Sequence, residues 1–205
     1  MASQKRSALS RFRAGDHAWW ETAISDVGPG RIVLRGNRVE DLIGHISYAG
    51  MVGLLVGDLS LSPVQAGLLE AALVAGVDHG VRAPSIAAAR MAATCGIPLN
   101  AAVATGINLL GNDHGGAGEQ CMELLYEVAG ARDLAAAARL AVDARLGAGA
   151  NLPGFGHQLH KAGDPRRAPL LRLVEQAAAA GEVSGRYRTR RWRSNPNCPR
   201  SRSAS

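Results

Sequence analysis

The chain has 205 residues, of which 47% are hydrophobic and only 4% aromatic, with a formal charge of +6. That length suits a single domain with a real core, which must be built from Ala, Leu, Val and Ile and therefore favours close-packed helices. Three cysteines without a Cys-x-x-Cys pair argue against a disulfide scaffold or a zinc ribbon and fit a reducing compartment, and with no eighteen-residue apolar run no transmembrane helix is expected.

The positive charge is local. Residues 186–205 hold seven arginines and no acidic residue, which leaves 16 basic against 17 acidic residues in positions 1–185. The folded part is expected to be nearly neutral, and the pI of about 9.9 comes from the tail.

In chain order, residues 1–18 are polar and basic, lack an apolar h-region, and are expected to be a mobile segment rather than a secretory signal. The cytoplasm is the expected location. A helical domain is predicted over 19–185, opening at Trp19-Trp20. Ile32-Val33-Leu34, bounded by Gly30 and Gly36, is the best strand candidate. Apolar spacing predicts a helix over 39–56. Ser62-Pro63 predicts a helix start, with Gly76 as its stop. Ser85 is expected to cap an alanine-rich helix that closes at Gly96. Pro98 opens another, ending near Leu110. Further helices are predicted over 118–129, 131–146 and from Pro165 to about Ala180. Beyond Gly185 apolar periodicity stops, and 186–205 should be a disordered Arg/Ser-rich tail.

Two histidines sit among glycines, in Gly111-Asn112-Asp113-His114-Gly115-Gly116-Ala117-Gly118 and in Pro153-Gly154-Phe155-Gly156-His157. Neighbours without bulk let a ligand approach closely, and several glycines in a row carry an entropic cost that a ligand or a tight helix contact would explain. The first segment is neither a Walker A loop, since no Gly-Lys-Ser/Thr follows, nor a dinucleotide fingerprint, since it follows a helix. Asp78-His79-Gly80 reads as a capped turn with a structural or functional histidine. Asp164-Pro165-Arg166 offers a guanidinium fork suited to a carboxylate. His157-x-x-His160, with His79 or Asp78, has the residue types of a metal site. The surrounding glycines argue against the helix that this spacing would need, so no metal is expected. The arginine tail could attract nucleic acid or CoA phosphates, but it lacks interleaved aromatics.

Taken together, Asp78-His79-Gly80, Ala83-Pro84-Ser85-Ile86-Ala87-Ala88-Ala89-Arg90, Asp113-His114-Gly115-Gly116-Ala117, and Pro153-Gly154-Phe155-Gly156-His157 with Lys161 and Asp164-Pro165-Arg166 resemble the citrate synthase superfamily. The resemblance spans about residues 19–185 and is closest to its short citryl-CoA lyase-like members. It implies an all-α fold and a homodimer. It also implies carbon–carbon bond formation or cleavage on a CoA thioester, with acetyl-CoA and oxaloacetate or citryl-CoA as substrates and no cofactor beyond that thioester. By the same resemblance His114 and His157 are the catalytic residues: His114 donates to the thioester oxygen, and His157 serves the ketone oxygen. His79 and Arg166 hold the dicarboxylate, and Gly154, Phe155, Gly156 and Lys161 receive CoA. The family's later carboxylate base has no counterpart: the last Asp is Asp164, the last acidic residue is Glu182, and at about Arg186 helical sequence gives way to the arginine tail. The fold is therefore expected to be incomplete at its C-terminus, through truncation or a frameshift. Two alternatives remain open: a non-catalytic remnant, and a nucleic-acid-binding protein acting through its tail.

Overall fold

The computed structural model describes residues 20–157, 160 and 163–184. The expectations for segment 1–18 and tail 186–205 fall outside the described residues. Two compact units divide the chain, one ending at Glu70 and the other starting at Ala71.

The first unit opens with an antiparallel meander of β1 (Ser25–Gly28), β2 (Arg31–Leu34) and β3 (Asn37–Arg38), in that order. Val27 pairs with Ile32, and Val33 with Arg38. Pro29-Gly30 turns the first hairpin, with Gly30 at φ +67°. Arg35 (φ +46°) and Gly36 (φ +80°) turn the second, and two successive positive φ values are the turn that matches strand twist. The strand expected at 32–34 is thus the middle of three. Its neighbours are short and largely exposed, so neither carries an apolar alternation.

The helix expected over 39–56 is two helices, α1 (Val39–Leu42) and α2 (Tyr48–Gly57). Gly44, at φ +79°, breaks it. Ser47 then restarts it, its hydroxyl accepting the Gly50 N–H at 3.0 Å. Gly50 and Gly53, costly in a helix interior, have a packing reason. A Cβ on Gly53 would stand 2.6 Å from Leu61 Cδ1, and one on Gly50 2.9 Å from Ile46 Cγ1.

The helix α3 (Pro63–Gly76) starts as expected. Gln65 N–H donates to the Ser62 hydroxyl at 3.2 Å while Ser62 N–H donates to the Gln65 side-chain Oε1 at 3.1 Å. This reciprocal capping box satisfies two N–H groups that the first turn leaves without helical partners. The boundary between the units falls within this helix.

The second unit holds α4 (Pro84–Thr94), α5 (Leu99–Ile107), α6 (Ala117–Gly130), α7 (Leu134–Gly147) and α8 (Arg167–Ala179). Ser85 does not cap α4. The capping position is Ala83, with Pro84 in the first turn, which leaves the Ser85 hydroxyl available for another partner. α5 stops at Ile107 rather than Leu110. α7 begins at Leu134 because Asp133 accepts the N–H groups of Ala135 and Ala136, each at 3.0 Å.

The core is mostly alanine, as the composition predicts: Ala83, Ala102, Ala129 and Ala177 are buried in this unit beside Leu124, Val128 and Leu152. No helix among the described residues is long and apolar enough to cross a membrane. Small side chains let backbones approach closely. The tightest case is α4 against α5, where a Cβ on Gly106 would lie 2.8 Å from the Ser85 carbonyl oxygen and 3.2 Å from Ala89 Cβ. Backbone cannot rotate aside as a side chain can, so Gly106→Ala must spread the hairpin. We expect a loss of about 1–3 kcal/mol in urea unfolding, the usual range for overpacking. An unchanged midpoint would show that the two helices are not in contact.

Candidate active site

His114 sits in a loop that closes on itself before α6. Gly111 N–H donates to the His114 carbonyl at 2.8 Å, and Gly116 N–H donates to the Gly111 carbonyl at 2.9 Å. The Gln120 amide donates to the Asn112 carbonyl at 3.1 Å. The glycines follow from this closure: Gly115 takes φ +103°, and a Cβ on Gly116 would lie 2.8 Å from the Asn112 backbone. Their first function is therefore to form a tight loop that presents His114.

The half-buried His114 ring reaches α4. Its Nε2 lies 2.9 Å from Ser85 Oγ and accepts the Ser85 backbone N–H at 3.3 Å. A backbone N–H can only donate, so Nε2 is the acceptor and the neutral ring carries its proton on Nδ1. That leaves Nδ1–H as a fixed donor. Ser85 is a site residue that the sequence pattern hid, because a serine beside a proline at a helix start resembles a cap.

A second group of side chains gathers where the 153–166 segment meets the turn after α3. His157 Nε2 lies 3.3 Å from His79 Nε2, with ring centroids 5.2 Å apart. His160 N–H donates to His157 Nδ1 at 3.3 Å, and the two rings are 4.5 Å apart. Nδ1 being an acceptor, His157 carries its proton on Nε2 and directs it towards His79.

Asp164 holds Arg166. Its Oδ1 accepts the Arg166 backbone N–H and Nε–H, each at 2.9 Å, and its Oδ2 accepts from Nη2 at 2.6 Å. Arg166 Nη1 donates to the Ala75 carbonyl at 3.2 Å, near the C-terminal end of α3, where carbonyls lack helical partners. The guanidinium and then the backbone N–H of Arg166 hold the Asp164 carboxyl well below the usual carboxylate range. Asp164 in turn raises Arg166 above the ordinary arginine value. Desolvation, followed by the charges of His160 and His79, pushes His157 below the usual histidine value.

The Pro153–His157 loop rests on α6. Leu152 is buried, Gly154 takes φ +76°, and a Cβ on Gly154 would lie 2.6 Å from Cys121 Sγ. Burial pushes the Cys121 thiol up, so this cysteine is a packing group. Gly156, at φ +90°, has open space where its side chain would be. Phe155 is about two-fifths exposed. Lys161 lies outside the described residues.

The structure thus forms two clusters within one unit: Ser85 with His114, and His79, His157 and His160 with Asp164 and Arg166. Each offers imidazole donors on glycine-bearing loops, and the second adds a guanidinium. Side chains of these types can bind carboxylates and stabilise negative charge on oxygen.

The comparisons name the class. Residues 58–189 match the family model for the citrate synthase C-terminal domain. The chain belongs to the citrate synthase family. A citrate synthase of Deinococcus radiodurans is 30% identical over 156 residues, covering 75% of this chain and 40% of the relative. A Mycobacterium tuberculosis protein bearing the citrate synthase name is 36% identical over 112 residues, covering 54% of this chain and 29% of the relative. Among solved structures, the citryl-CoA lyase of Hydrogenobacter thermophilus superposes with a TM-score of 0.69 at 33% identity, covering 80% of this chain and 62% of that one. The chain therefore spans well under half the length of these two citrate synthase relatives. The mostly helical, citrate synthase-like fold expected from the resemblance is observed.

His157 is neutral at pH 7. Because the fold lowers its pKa, the unfolded chain takes up this proton first as pH falls below about 6.5, and stability declines through that window. An NMR titration of the His157 ring should give a midpoint below that value, and His160→Ala should raise it by removing one of the opposing charges. A midpoint at or above the ordinary value would contradict the cluster.

Proposed function

We propose that this chain carries part of a CoA-thioester carbon–carbon lyase or synthase site, with citryl-CoA, or acetyl-CoA and oxaloacetate, as its substrates. The observation that carries the reading is the pair of preset donors, His114 Nδ1–H fixed by Ser85 and the His157 ring beside Arg166. Solved relatives support the substrate class: one is a citryl-CoA lyase.

In this reading His114 donates from Nδ1 to the thioester oxygen as enolate charge builds there. Preset donors of this kind lower such barriers without reorganising. His157 serves the oxygen that alternates between ketone and alcohol. Cleavage removes the proton of the citryl hydroxyl, breaks the adjacent carbon–carbon bond, and leaves an enolate that takes up a proton to give acetyl-CoA. Condensation is the same path reversed. Arg166 and His79 align the dicarboxylate. Asp164 and Ala75 use one N–H on Nε and one on each terminal nitrogen, leaving two of the five guanidinium donors for a carboxylate. Gly154, Phe155 and Gly156 receive the CoA arm at a loop whose backbone is open at Gly156. Lys161 completes that set.

A second reading, binding without turnover, has its own support. Asp164 is the carboxylate in contact with the histidine cluster, and it is committed to Arg166, so it is a poor base. Two measurements separate the readings: oxaloacetate binding by calorimetry, and citryl-CoA cleavage beside acetyl-CoA condensation. We expect binding that weakens at least tenfold in Arg166→Ala, in line with about 1.5–3 kcal/mol for a charged hydrogen bond. Turnover should fall about 10²–10³-fold in His114→Ala, the usual cost of one oxyanion donor. Binding without turnover selects the second reading, and neither binding nor turnover removes both.

We also propose a homodimer. Leu99, Val103 and Ile107 recur at four-residue spacing along α5 and are 79%, 47% and 58% exposed. Such a stripe on a helix is an apolar face fit for a second copy of this chain. Light scattering should give twice the chain mass, and Val103→Glu should give the single mass. A monomeric wild-type chain would refute the proposal.

A further inference from the structure

We propose that His157, His160 and Asp164, with His79 as an additional ligand, form a site for one divalent transition-metal ion of the zinc type. One ligand atom from each of His157, His160 and Asp164 lies within 4.8 Å of the other two. His79 Nε2 stands 3.3 Å from His157 Nε2. Two imidazole nitrogens on one tetrahedral ion, each about 2.0–2.1 Å from it, are about 3.3 Å apart. This pair already has that separation; binding at Nε2 requires His157 to shift its proton to Nδ1 and give up the His160 N–H contact.

The chemistry of the donor set points the same way. Imidazoles with one carboxylate suit zinc and its neighbours, whereas calcium and magnesium take sets of oxygens. Asp164 is ionised and held by both the backbone N–H and the guanidinium of Arg166. An outer partner of this kind orients a ligating carboxylate. The spacing His157-x-x-His160 does not require a helix here, because the loop and the turn after α3 supply the convergence.

The ion would be an inhibitory ligand. It would occupy the histidines proposed to meet the keto acid. This consequence, unlike the site itself, rests on the proposed function.

The test is calorimetric titration of Zn²⁺ into the chelator-treated 205-residue chain, with no substrate present. We expect one ion per chain with micromolar affinity, at least tenfold weaker in His160→Ala and in His79→Ala, and unchanged in His45→Ala. His160→Gln, with circular dichroism to confirm folding, repeats the result if the alanine variant does not fold. Co²⁺ as a spectroscopic probe should give visible bands without a thiolate charge-transfer band. Absence of binding up to millimolar Zn²⁺, affinity unchanged in His160→Ala, or a thiolate band would each overturn the site. Zinc binding is read without substrate, so it stands or falls separately from citryl-CoA turnover.

Discussion

The close approach of α4 to α5 at Gly106 is the constraint on which the rest depends. With no side chain at 106, the Ser85 backbone can lie against α5. Ser85 then meets the His114 ring with both its backbone N–H and its hydroxyl. The loop that carries His114 is closed from the other side by the Gly111 and Gly116 hydrogen bonds. A ring anchored at Nε2, on a backbone closed by its own hydrogen bonds, has one tautomer. Preorganisation of this kind makes a donor effective, because no freedom is lost when charge appears on the substrate.

The histidine and arginine cluster is built on a different principle. Its order comes from charge rather than close packing. Arg166 is fixed between a carboxylate two residues away and a carbonyl near the C-terminal end of α3. A helix C-terminus is a favourable place for a cation, so α3 both supplies the acceptor and favours the charge. Desolvation, and then the neighbouring histidines, disfavour added protons on His157. The cluster is therefore poised to accept anions, with the His157 ring held below the usual histidine value.

Much of the fold was legible in the sequence because its punctuation is local. Ser62-Pro63, Gly76, Gly96, Pro98 and Gly130 mark helix ends through fixed φ angles and missing N–H groups, and the structure places boundaries at or beside them. The errors have physical causes. Gly44 lies within an apolar pattern that continues on both sides of it, so periodicity could not show the break. β1 and β3 are too short and exposed to alternate. Asp133 was overlooked as a cap because Gly130 already marked the end of the previous helix.

The site was legible in its residue types and less so in its partnerships. His114 and His157 stood out because glycines surround them, yet glycine content alone could not say why. The loop before α6 needs Gly115 and Gly116 for its own closure, whereas Gly156 needs its φ of +90° and has open space around it. Ser85 shows the converse problem: one hydroxyl can cap a helix or orient a ring, and the sequence favours the local choice. Pro84 decides between them. By taking the first helical turn it moves the cap to Ala83, and the serine becomes free to serve a histidine 29 residues further along the chain.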